Sequence, residues 1–125
     1  MAAAGSITLQ ANVTGGSDGA RAFGPLVTTT AAAVIQTTTV TLAAAANTIT
    51  VPTGATAVVI LPPNAPSSTS VGSSSFSGTL TLKGITGDTG VAISAKWPTV
   101  LGFDTAPASF VITSSAIGTL VAWFM

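Results

Sequence analysis

Apolar and polar residues alternate with a period of two along most of this chain. Ile7 and Leu9 alternate with Thr8 and Gln10, Val40 and Leu42 with Thr39 and Thr41, and Ile49 and Val51 with Thr48 and Thr50. Further on, Leu80 and Leu82 alternate with Thr79 and Thr81, and Phe110 and Ile112 with Ser109 and Thr113. Successive side chains of an extended strand point to opposite faces, so each run predicts a half-buried β-strand. Two runs break the alternation: Val58 to Leu61 is apolar throughout, and Thr119 to Phe124 sets Leu120, Ala122 and Phe124 opposite Val121 and Trp123. Both predict strands covered on both faces.

Turn chemistry separates the runs at short intervals. Gly15 to Gly19 breaks the chain after the first strand, Pro52-Thr53-Gly54 precedes the apolar run, and Pro62 to Pro66 ends it. Ser73 to Ser75, Gly87-Asp88-Thr89-Gly90 and Ala106-Pro107 do the same later. Two Ala-rich patches, Ala31 to Ala33 and Ala43 to Ala46, have helical propensity, but each spans about one turn and is too short to nucleate. The β-branched Thr, Val and Ile that fill the runs favour extended backbone. The fold class expected is therefore all-β: an antiparallel β-sandwich, jelly-roll or Ig-like, of about eight to ten short strands, with a small barrel as the alternative. Residues 1–30 hold one clear strand and a Gly-rich stretch, and read as an N-terminal segment, an assembly arm; residues 31–125 form the sandwich domain.

Composition narrows the chemistry. Of 125 residues 47% are apolar and only 5% charged, with three Lys or Arg against three acidic residues. An average soluble domain carries about 25% charged residues. Cys, His and Tyr are absent, and the acidic residues are Asp18, Asp88 and Asp104, so Glu is absent too. A Ser–His–Asp or Cys–His arrangement has no base, and a zinc site has no imidazole or thiolate. The expectation is a non-enzymatic chain with no cofactor and no metal site. Arg21, Lys83 and Lys96 cannot form the basic stripe that phosphate neutralisation requires, so nucleic acid is not an expected partner. The longest apolar stretches, Thr56 to Pro63 and Ala116 to Met125, fall well short of the roughly 20 residues a spanning helix needs, so no membrane partner is expected. The N-terminus has no basic region ahead of an apolar one, and no signal peptide is expected.

Few residues stand out as candidates. Asp88 sits between glycines near Lys83, where an Asx-type turn outweighs a ligand or acid role. Trp97, between Lys96 and Pro98, could offer an aromatic platform to a sugar or base, but packing against a loop or neighbouring subunit is the stronger reading. Trp123 lies in an apolar strand and reads as core or subunit interface. Arg21 and Phe23, in the Gly-rich segment, could anchor a partner. Thr-x-Thr triplets begin at residues 39, 48 and 79, with steps of 9 and 31; an ice-binding face would need a fixed step, so ordinary strand alternation explains them better.

So little charge has a physical consequence. Soluble monomers rely on interspersed charges and a net charge away from zero to resist association. A surface of Thr, Ser, Ala and Gly is tolerable where copies of the chain or a larger assembly cover it, because few charges must be desolvated at the seam. Three segments, 47–63 (NTITVPTGATAVVILPP), 79–104 (TLTLKGITGDTGVAISAKWPTVLGFD) and 108–125 (ASFVITSSAIGTLVAWFM), together resemble small β-rich structural proteins of tailed bacteriophages, found in virions as capsid decoration, fibre or tail components. That resemblance implies a β-sandwich assembled as a homo-oligomer, most often a trimer, on the virion, the particle being built in the host cytoplasm. The partner it implies is the major capsid protein or another virion protein. The leading expectation is a capsid decoration (cement) protein, with a tail or fibre component that contacts the host surface as the alternative. On these expectations the shell-docking surface lies around Arg21 and Phe23, and the oligomer seam near Trp97, Phe103 and Trp123.

Overall fold

A computed structural model describes residues 5–13, 21–30, 36–65 and 76–125, the first two ranges as backbone only. The chain divides into two units, Met1–Ile35 and Gln36–Met125. In the first, β1 (Gly5–Val13) and β2 (Arg21–Thr30) pair antiparallel from Gly5↔Thr30 to Val13↔Arg21, with a register irregularity between Leu9 and Ala11. β2 is a second strand where sequence patterning shows only one. Gly24-Pro25 interrupts its alternation, and Pro is tolerated because both strands of a two-stranded sheet are edges. The division falls after Ile35 rather than after residue 30. Arg21 and Phe23 lie on β2; their side chains, the expected turn at Gly15 to Gly19, Ala31 to Ala33, Pro66, Ser73 to Ser75 and Asp18 all lie outside the described residues.

The second unit consists of β3 (Gln36–Leu42), β4 (Ala46–Thr50), β5 (Ala57–Leu61), β6 (Leu80–Lys83), β7 (Val91–Ile93), β8 (Thr99–Gly102), β9 (Ser109–Ser114) and β10 (Gly118–Phe124). They form two four-stranded sheets, ordered β3-β10-β5-β8 and β4-β9-β6-β7, antiparallel throughout. The pairs β3·β10, β4·β9, β5·β8 and β6·β7 are nested, so the unit is one long antiparallel ribbon folded back on itself and rolled into two layers. The additional pairs β5·β10 and β6·β9 complete the roll. This strand order is that of a jelly roll and not of an Ig-like sandwich, whose two sheets are ordered ABED and CFG. The two sheets stay separate, each with two edge strands, so the barrel alternative falls away; no helix occurs among the described residues.

Position in the sheets follows composition. The strands with most of their residues buried, β5, β9 and β10, sit centrally and pair on both sides, while Thr-rich β3 and β4 lie at the edges. Leu120, Ala122 and Phe124 of β10 face inward with Val58 and Ile60 of β5, opposite Ile49, Leu80, Phe110 and Ile112 of the other sheet. The rings of Phe110 and Phe124 meet across the layers, with centroids 6.4 Å apart and planes tilted by 50°. Burying such side chains is worth about 1.5–3 kcal/mol each relative to leaving them in water. Met125 extends the ladder beyond β10 by exchanging backbone hydrogen bonds with Ala57.

Side chains hold the turns. Between β3 and β4 the amide N–H of Ala43 donates to Asn47 Oδ1 at 2.8 Å, and Asn47 Nδ2 donates to the carbonyls of Ala43 and Ala45, at 3.1 and 2.8 Å. The second Ala-rich patch is thus a tight connection running into β4, not a helix. In Pro52-Thr53-Gly54-Ala55, Ala55 N–H donates to Pro52 O at 3.1 Å and Gly54 takes φ 85°, the positive value a type II turn requires at that position. Asn64 clamps Phe76: its Nδ2 donates to the Phe76 carbonyl at 2.6 Å and its Oδ1 accepts from the Phe76 N–H at 3.2 Å.

Candidate functional site

Register places an uncharged row of residues on the outside of the sheet β3-β10-β5-β8. Phe124 points into the sandwich, so its neighbour Trp123 points out, and pairing aligns Trp123 with Thr37 on one side and Val59 on the other. Val59 in turn aligns with Val100 of β8. The row Thr37–Trp123–Val59–Val100 therefore crosses all four strands, with Trp123 43% and Val100 38% exposed. The adjacent row, Thr39–Val121–Leu61, is closed off at Val121 and Leu61, both buried. No strand of this sheet carries a charged residue, whereas the other sheet has Lys83 on β6. Two expectations change here. Trp123 is not core, and the outer side of the two apolar runs opens at Val59 and Trp123.

The end of the sandwich formed by β8 and by β6 with β7 is open. A groove of about 350 Å³ there is lined by Leu82, Val91, Leu101, Phe103 and Phe110, with Lys83 and Asp88 at its rim. Phe103 N–H donates to Thr56 O at 2.8 Å, which carries the β5·β8 ladder one residue further and turns the Phe103 ring inward with Leu101. Trp97 lies in the connection from β7 to β8, 59% exposed, with Lys96 Nζ 5.4 Å from its ring centroid. Ser94 Oγ accepts the N–H of Lys96 at 3.0 Å and of Trp97 at 2.9 Å, which fixes the backbone beneath that pair. Trp97 and Phe103 thus flank β8 at this end, while Trp123 faces the opposite side of its sheet from Phe103. The structure does not gather the three on one face.

Val59 and Val100 share the outer row with Trp123, and sequence reasoning missed both. A signal was present for Val59: in an unbroken apolar run every second residue faces away from the core. Val100 had none, because only the β5·β8 pairing brings it into the row.

Asp88 has a structural task. Its Oδ2 accepts the N–H groups of Gly84 at 3.1 Å and Ile85 at 3.0 Å, and its own N–H donates to Ile85 O at 3.1 Å, closing the β6–β7 turn. Among the described residues no three His, Cys, Asp or Glu come together to hold a metal ion, and no helix is long and apolar enough to cross a membrane. Comparison with protein-family models, with curated proteins and with solved structures finds no match for this chain.

Proposed function

We propose that this chain is a structural protein of a tailed-bacteriophage virion, a decoration (cement) protein that binds the outside of the assembled capsid shell. The observation that carries the proposal is the outer face of the sheet β3-β10-β5-β8: four strands without a charge, crossed by the apolar row Trp123–Val59–Val100. Interface cores are depleted in charge and enriched in aromatic residues, while free surfaces are not. Covering this face with neighbouring subunits desolvates apolar groups and no ions. The chain acts without catalysis, as a homo-oligomer seated on the major capsid protein or another virion protein. A ligand that binds the assembled shell and not its dissociated subunits stabilises the shell by mass action. Many weak copies add avidity. In this proposal Arg21 and Phe23 on the β1–β2 hairpin meet the shell, and the outer sheet face meets neighbouring copies.

The test is binding to empty shells assembled from the phage's major capsid protein, read by electron microscopy and by the melting temperature of the shell. The chain is expected to appear as ordered density outside the shell and to raise its melting temperature, and an Arg21→Ala, Phe23→Ser variant to lose both. Shells that stay bare overturn the proposal.

Exposed Trp97 supports a second reading, a tail or fibre component that grips a host-surface saccharide. Lys96 already occupies one face of the indole, which leaves the other for a sugar ring. Binding on a glycan array that disappears in Trp97→Ala would establish this role, and a blank array would remove it.

A further inference from the structure

The four edge strands of the sandwich are not alike. β4, β7 and β8 have five, three and four residues, whereas β3 has seven and pairs with β10 without a break from Gln36↔Phe124 to Leu42↔Gly118. An edge strand leaves a row of backbone N–H and C=O groups without partners, and proteins protect such edges with short strands, charges, Pro or bulges. β3, with the sequence QTTTVTL, has none of these. Among the described residues of the second unit no strand pairs with its outer edge. Beside it runs a groove of about 290 Å³ between the two sheet edges, lined by Thr38 and Val40 of β3 and by Thr48, Ile49 and Thr50 of β4.

We propose that β3 pairs antiparallel with β3 of a second copy across a two-fold axis at Thr39. The occupant follows from the symmetry of the strand. Thr37, Thr39 and Thr41, all exposed on the outer face, are symmetric about Thr39, so reversing the strand presents the same surface. Centred pairing opposes Thr39 with Thr39, Thr37 with Thr41 and Thr38 with Val40, in full seven-residue overlap. Thr–Thr cross-strand pairs are favourable, and no like charges meet across the axis. The two sheets then become one eight-stranded sheet in which no strand is charged, and the backbone groups of both edges are satisfied. This inference adds an edge contact made in solution to the outer-face contacts of the proposed function, which form on the shell, and it rests only on the reading that the chain self-associates.

Thr39→Lys and Thr39→Glu test it in the full chain. Thr39 is exposed, so either side chain is accommodated in the single subunit, and circular dichroism checks that the fold persists. Sedimentation should give the wild type a mass of two chains and each variant alone a mass of one, because like charges then face each other at the axis. An equimolar mixture of the two variants should return to two chains, and added salt should weaken that mixed pair. A wild type that sediments as one chain or three overturns the inference. So does a Thr39→Lys variant that keeps the two-chain mass, or a mixture that fails to reassociate, which would move the contact to another segment such as the hairpin. Shell binding reads out separately: a chain that decorates shells but sediments as a monomer refutes edge pairing alone, and one that pairs through Thr39 but leaves shells bare refutes only the virion role.

Discussion

Trp123 and Phe124 are adjacent aromatic residues on one strand, and the fold assigns them opposite fates. Phe124 is 0% exposed and packs against Phe110 across the layers, while Trp123 is 43% exposed on the outer face. Replacing Phe124 by Ala removes a ring that water cannot replace and leaves a cavity, at a cost of about 3–5 kcal/mol. For a unit of about this size each kcal/mol lowers Tm by roughly 4–8 °C, so the melting point should fall by at least about 12 °C. Replacing Trp123 by Thr forfeits only covered area. Of an indole surface of about 250 Å², about 140 Å² is shielded here, and Thr restores roughly half of that shielding. At about 25 cal/mol per Å² the loss is about 1–2 kcal/mol, with no cavity because water fills the space. Urea unfolding followed by circular dichroism, at several protein concentrations to separate folding from association, measures both variants. Trp123→Thr should also weaken the packing of copies on the shell through the outer face, which Phe124→Ala does only by unfolding. A Trp123→Thr loss equal to or greater than that of Phe124→Ala would refute the facing assigned to β10, and the outer apolar row with it.

Three further substitutions probe single features, each read as a shift of the urea midpoint. Gly90 takes φ 75°, and a Cβ there would lie 2.5 Å from the Leu82 carbonyl oxygen, so Gly90→Ala should cost about 2–3 kcal/mol or more. Thr113 Oγ1 is buried without a hydrogen-bond partner, so the near-isosteric Thr113→Val should stabilise the sandwich by about 1 kcal/mol. Asn64→Ala strips both hydrogen bonds from the Phe76 backbone and should cost about 1–3 kcal/mol, while Asn64→Asp sets an acceptor-only carboxylate oxygen against the Phe76 carbonyl and should cost at least as much at neutral pH.

Period-two alternation was enough to identify the class, because a strand with one wet and one dry face writes its geometry into every second residue. Among the described residues seven of ten strands carry that mark or an unbroken apolar run; β2, β7 and β8 do not. β2 hides its pattern behind Gly24-Pro25, and β7 and β8, at three and four residues, are too short to show a period. Turn chemistry was equally local: the roles of Asp88 and Gly54 rest on atoms within four residues of each.

What only the tertiary structure decided is which strands meet. The nested pairing joins Gln36 to Phe124 and Ala46 to Thr113, partners that local propensity cannot choose because each is set by the rolling of the whole ribbon. Pairing in turn sets which residues share a face. It lines Trp123 up with Val59 and Val100, turns Phe103 to the other side, and sets β3 at the edge of its sheet. The scarcity of charge was determined by the chain alone. Where that scarcity becomes a surface depends on long-range register, since a sheet face is made of side chains contributed by strands distant in sequence.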